Sequence, residues 1–265
     1  MSAIHESGWR VKESILRISE ASQTPHVSSC LSCADILVAL FHRAQNTAPS
    51  EVYLSKGHAA LAMYATLAEF GYLDKHELSS YGGDGTVLEG HVNSRLPGIP
   101  LSTGSLGHAL AFAAGRAFLD RAKNSPVEHW VVLSDGELDE GSNWEALLLI
   151  NSLGLSNINI VIDRNRLQSI RSTESTIPLE PLADKFLSFN WKKVEEVDGH
   201  SLMSISDALD RASYSEKPTC LVASTIKGFP LKSMMENGVL HHYRAATESQ
   251  LSEFSALRAN EEVTP

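Results

Sequence analysis

The chain has 265 residues, 43% of them hydrophobic and 20% charged, enough apolar material for one large buried core or two small ones. A formal charge of −10 argues against a nucleic-acid binder or a basic membrane-surface protein, so neither partner is expected. Three cysteines, with Cys30 and Cys33 lacking a second Cys-x-x-Cys pair, make neither a disulfide framework nor a zinc site.

In chain order, residues 7–22 read as an amphipathic helix carrying Trp9, Ile15, Leu16 and Ile18, ended near Pro25. No apolar signal region, no run of 18 apolar residues and no internal repeat is found, so a cytoplasmic protein is expected. His26 to Asp35 reads as a turn into a helix over 33–43, with Ser32 and Asp35 as a variant capping box. Val52-Tyr53-Leu54 is a short strand. Ser55-Lys56-Gly57-His58 then opens an Ala-rich helix to Phe70, and a short helix covers 74–79. Glu89-Gly90-His91 enters a Pro- and Gly-rich loop. It ends in Thr103-Gly104-Ser105-Leu106-Gly107, before a second Ala-rich helix over 108–121.

The central stretch is a βαβ unit. Strand 130–133 stops at Ser134-Asp135-Gly136, a helix covers 141–153, and strand 158–162 stops at Asp163-Arg164-Asn165. Residues 170–182 read as an extended loop, followed by strand 190–196, helix 201–213 and strand 219–225. Lys227-Gly228 leads into a loop carrying His241 and His242, and helix 247–258 comes last. Alternating strands and helices predict an α/β fold, a parallel sheet with helices on both faces. No linker-like composition divides it, so residues 1–265 are expected to form a single domain.

Parallel strands place Asp135 and Asn165 on the same sheet edge, where open α/β sheets bind ligands. A carboxylate and an amide carbonyl are hard oxygen donors suited to Mg²⁺ or Ca²⁺, whose shell phosphate oxygens complete. Gly136, without a Cβ, lets a phosphate approach the backbone, and the following helix points its positive end there. Asp-Gly after a strand also makes an ordinary turn, and the two readings stay open on these residues alone. Of eleven histidines, His26, His58, His91 and His241 fall at loop-to-helix junctions. Singly each reads as a surface or capping residue. Together they predict a polar pocket with proton-transfer chemistry, since imidazole donates and accepts near pH 7.

Asp135-Gly-Glu-Leu-Asp-Glu-Gly141, a helix, and Ile160-Val-Ile-Asp-Arg-Asn165 resemble the thiamine-diphosphate fingerprint of the transketolase family, with Ser134 where the family has Gly. Pro25-His26-Val-Ser-Ser29, Leu54-Ser-Lys-Gly-His58, Glu89-Gly-His91, Thr103-Gly-Ser-Leu-Gly107 and Lys227-Gly…Met235-Glu-Asn…His241 are similar to further family segments, in family order. Leu240, His242 and His108 depart from the usual Trp, Gly and Gln.

The resemblance implies a thiamine-diphosphate-binding fold with thiamine diphosphate and Mg²⁺ (or Ca²⁺ or Mn²⁺) as cofactors. Asp135, Asn165 and the Leu167 carbonyl would hold the metal. His58 would lie by the cofactor diphosphate, and Gly136, Glu137 and His241 would also bind the cofactor. Gly104 and Leu106 would meet the aminopyrimidine through their backbones, with Ser105 between them, and Glu140 would lie at a subunit interface. His26 and His91 would act on substrate hydroxyls, with His241 as a third catalytic histidine.

The resemblance further implies that the chain stops where a pyrimidine-binding domain would start. A C-terminal transketolase subunit in an α2β2 assembly is therefore the expected partner, and sugars or sugar phosphates the substrates of a two-carbon ketol transfer. The rivals are a two-chain thiamine-diphosphate enzyme acting on a 2-oxoacid, a specialised biosynthetic ketol or acyl transferase, and a non-catalytic scaffold.

Overall fold

The computed structural model describes residues 3–191, 193–213 and 216–263. Among these residues five strands, β1 (Ser50–Leu54), β2 (Glu128–Ser134), β3 (Ile158–Arg164), β4 (Lys193–Asp198) and β5 (Thr219–Ser224), form one parallel sheet ordered β1-β2-β3-β5-β4. The two-residue side-chain period splits their apolar residues between two cores. Val52, Leu54, Trp130, Val132 and Val161 face one side; Tyr53, Val131, Leu133, Ile160 and Ile162 face the other. Both faces are thus apolar, and both must be covered.

The first face is covered by α1 (Ala3–Ser22), α2 (Val27–Asn46), α3 (Ala60–Glu69), α7 (Leu202–Ser213) and α9 (Glu248–Val263). The second is covered by α4 (Ala109–Ala122), α5 (Gly141–Ser152) and α6 (Leu182–Ser188). One further short helix, α8 (Lys232–Met235), follows β5.

Helix α2 departs most from expectation. It starts at Val27, directly after His26, instead of at residue 33, and every residue from Val27 to Phe41 is buried. It is long and apolar enough to cross a membrane by composition, but it lies inside the protein. Small Ser and Cys side chains let neighbouring elements close around it, which removes the polar face that would have marked its start. Ser32 and Asp35 therefore form no capping box. The Ser32 hydroxyl donates to Asp163 Oδ1 (2.7 Å), and Asp35 accepts from Lys12 Nζ (2.7 Å).

The segment expected as a loop to residue 182 gives way to the seven-residue α6, too short to leave a readable period. Strand β4 begins at Lys193 instead of 190, because α6 reaches Ser188 and Asn190 turns the chain with φ 62°. Strand β3 runs to Arg164, two residues beyond expectation. Pairing of Ser134 with Asp163 and of Arg164 with Ser224 brings the ends of β2, β3 and β5 level.

Candidate active site

Four strand ends meet on that edge: Ser55-Lys56 after β1, Asp135-Gly136 after β2, Asn165 after β3 and Lys227 after β5. Between them lies a cleft of about 350 Å³. Of the expected residues, His26, His58, His91, Gly104, Leu106, Gly136, Glu137, Asn165 and Leu167 line it. Asp135 lies just under the lining, 1% exposed.

Three residues do not join them. Ser105 lines a separate hollow with His108 and Phe112, on the other side of Gly104, which borders both. Glu140 is exposed, away from the cleft. His241 is displaced by its neighbour: a 3-10 turn over Leu240–Tyr243 directs His242 and Tyr243 into the cleft instead.

His26 takes the left-handed conformation (φ 71°), which costs a non-glycine residue about 1 kcal/mol or more. Its N–H donates to the His242 carbonyl (3.1 Å), and its carbonyl accepts from Ser29 and Cys30 as α2 begins. The strained turn aims its ring at His242 (centroids 4.8 Å apart) and His58 (5.4 Å). Burial, helped by nearby cations, holds all three imidazoles below their ordinary range: His26 down, His58 well down, His242 to about 3. They are neutral at pH 7, each with one donor and one acceptor nitrogen. His26 Nδ1 is buried with no partner among the described residues, a donor or acceptor left for a ligand.

Two lysines and one histidine complete the cleft without standing out in the sequence as site residues. Lys56, fully buried, pairs with Asp163; burial opposes both charges, but the pairing keeps the lysine above and the carboxylate below their usual values. Lys227 stands 3.0 Å from His242 Nδ1, and burial, with the nearby Lys56, pushes it down to about 8. Both lysines lie inside motifs that are themselves legible, Ser-Lys-Gly-His and Lys-Gly. The third, His242, carries no local signal that separates it from His241.

The expected cation donors are oriented by their neighbours. Asp135 Oδ2 accepts from Arg166 N (2.6 Å) and Arg164 Nη1 (3.1 Å), and Oδ1 accepts from Gly136 N (2.8 Å). Burial and the Asp163 charge push this carboxyl up to about 6, so a further cation would be welcomed there. Three N–H groups leave about one of its four acceptor sites free. Asn165 Nδ2 donates toward Ser32 Oγ (3.2 Å) and Asp163 Oδ2 (3.4 Å), which turns Oδ1 the other way, to Leu167 N (3.1 Å) and the cleft. Among the described residues no cluster of three His, Cys, Asp or Glu could hold a metal alone. One carboxylate, one amide oxygen and one backbone carbonyl suit a divalent cation that completes its shell with phosphate and water.

Close packing shapes the walls. A Cβ on Gly136 would lie 2.9 Å from Gln168 Cγ, and one on Gly104 would lie 2.9 Å from His91 Cδ2. Only glycine lets the Gln168 and His91 side chains rest on those backbones. Glu137, expected at the cofactor, is buried and accepts from Gly107 N (2.8 Å), Ser134 N (3.3 Å) and the Ser55 hydroxyl. It ties the β1 end, the β2 end and the 103–107 turn together at the cleft.

Known proteins similar to the chain identify its family. The family described as transketolase, thiamine diphosphate binding domain matches residues 14–253. An apulose-4-phosphate transketolase subunit from Phocaeicola vulgatus is 31% identical over 251 residues, covering 91% of this chain and 89% of the relative. A 6-deoxy-6-sulfo-D-fructose transketolase subunit from a Clostridium species is 35% identical over 213 residues, covering 77% of each chain. Solved transketolases from Pichia stipitis and Campylobacter jejuni superpose with TM-scores of 0.87 and 0.86 over 97% of this chain, at 24% and 22% identity. The chain spans 41% and 42% of the length of those two solved proteins. It belongs to the transketolase family and carries that family's thiamine-diphosphate-binding domain.

Proposed function

We propose that the chain is the diphosphate-binding component of a two-chain transketolase, which moves a two-carbon ketol unit from a ketose to an aldehyde. The observation that carries this reading is the cluster of neutral imidazoles, His26, His58 and His242, joined by His91 in the same cleft as the cation donors. Sugar hydroxyls need such groups, able to donate or accept at pH 7; a 2-oxoacid does not. Two similar proteins are named for ketoses bearing a phosphate or a sulfo group, and an anionic ketose is the donor we propose here.

Thiamine diphosphate, when bound, supplies the carbanion chemistry that makes and breaks the C–C bond. The chain's own residues position and move protons. Lys227 and His58 hold diphosphate oxygens, and Asp135, Asn165 and the Leu167 carbonyl hold Mg²⁺, with Ca²⁺ or Mn²⁺ as substitutes. Gly104 and Leu106 offer backbone groups to the aminopyrimidine. His26 and His91 exchange protons with substrate hydroxyls, and His242 takes the role expected of His241.

The reading treats residues 1–265 as one domain whose active site is completed by a C-terminal subunit with a pyrimidine-binding domain, in a cytoplasmic α2β2 assembly. The word "subunit" in the names of three similar proteins supports a partner chain. Exposed Glu140, Phe112 and Leu148 offer it a surface. The test is turnover of xylulose 5-phosphate by the chain mixed with its partner. Turnover of pyruvate with no activity on sugar phosphates would overturn the reading in favour of a 2-oxoacid enzyme.

A further inference from the structure

Arg164 ends β3 with its side chain 2% exposed, and its guanidinium serves four acceptors on three segments. Nη1 donates to Asp135 Oδ2 (3.1 Å) and Thr173 Oγ1 (2.8 Å); Nη2 donates to Glu174 Oε1 (2.7 Å) and Glu180 Oε1 (2.8 Å). Thr173 closes a small hairpin, in which Thr173 N donates to the Arg166 carbonyl (3.0 Å) and Gln168 N to the Arg171 carbonyl (2.8 Å). The first arm of the hairpin, Leu167-Gln168-Ser169, is one wall of the cleft. Among the described residues, a second tie from the hairpin to the cation carboxylate is the Arg166 N–H on Asp135 Oδ2.

We propose that Arg164 is a positioning residue that fastens the 166–173 wall to Asp135, so that cation binding and order in the wall are linked. The proposal rests on the cofactor reading above. The planar guanidinium can serve all four acceptors at once, which a lysine ammonium cannot. One guanidinium among three carboxylates leaves the cluster net negative, so it does not repel a divalent cation. By holding the hairpin beside Asp135 before a cation arrives, the clamp would remove an ordering cost that binding would otherwise carry.

The test compares wild type with Arg164→Met, Arg164→Lys and the double variant Glu174→Gln/Glu180→Gln, whose two substitutions lie at partly exposed positions and leave Asp135 untouched. In the cofactor-free full chain, hydrogen exchange at Gln168 and Thr173 should quicken at least tenfold in the double variant and more in Arg164→Met. Exchange at Val131 and Ile160 in the central strands should stay unchanged. Mg²⁺-dependent affinity for thiamine diphosphate, by calorimetry on the chain with its partner, should fall about tenfold, with Arg164→Lys between. Unchanged hairpin exchange, or quickening shared equally by the central strands, overturns the clamp. Lost affinity with hairpin protection intact also overturns it, because Arg164 would then act through charge alone. If wild type binds no cofactor, the functional reading and the linkage fall together, while the exchange data still decide the clamp.

Discussion

Lys227 Nζ lies 3.0 Å from Nδ1 of His242, and both side chains are buried. An ammonium has only donors, so Nδ1 accepts and the ring proton sits on Nε2. The pair therefore presents a fixed cation and a fixed neutral donor side by side. It joins the segment after β5 to the 3-10 turn that carries His242.

The charge on Lys227 sets a pH limit. With its pKa pushed down to about 8, it is largely protonated at pH 7 and loses its proton as pH rises through 8. A bound diphosphate favours the charged form, so affinity should fall above pH 8 by up to about tenfold per unit. Calorimetric titration at pH 7, 8 and 9 checks this. Lys227→Met should bind more weakly at pH 7 and lose the dependence.

Asp135→Ala should abolish Mg²⁺-dependent binding of thiamine diphosphate while the domain still folds. Each of the three N–H groups that loses its acceptor costs up to about 1–3 kcal/mol, an upper limit that water entering beside Gly136 at the cleft reduces, so the variant should melt earlier than wild type but still fold. Calorimetry with and without Mg²⁺, beside a thermal melt, separates the two effects. Retained affinity in a folded variant would refute the metal assignment.

His26→Ala should reduce turnover by about 10²–10⁴-fold with little change in cofactor affinity, the signature of lost proton transfer. The reverse pattern would move His26 to the diphosphate. Because His26 has φ 71°, His26→Gly should be more stable than His26→Ala by about 1 kcal/mol. A difference of about 2 °C in thermal midpoint would show it.

His242→Ala should damage cofactor affinity and turnover together, whereas His241→Ala should change both by less than about threefold, roughly 0.6 kcal/mol. A damaging His241 substitution with a silent His242 one would mean that the 3-10 turn presents the other residue.

Local pattern makes much of the site legible. Strand 130–133 and strand 158–162 announce themselves as apolar runs ending in Asp135 and Asn165, and a parallel crossover brings those ends together. His26, His58 and His91 stand beside residues that break regular structure, and all three reach the cleft. Helix α2 hides its start, because burial on all sides erases the periodicity that marks a helix end.

The α/β class, the parallel sheet and the polar strand ends were determined by the sequence alone, since each depends on period and on neighbours a few residues away. Tertiary structure decided the rest: Lys56 meeting Asp163 across 107 positions, His242 entering in place of His241, and Arg164 gathering Asp135, Glu174 and Glu180. Buried charges must find partners wherever the crossovers bring them, and no local pattern encodes which distant side chain will be there.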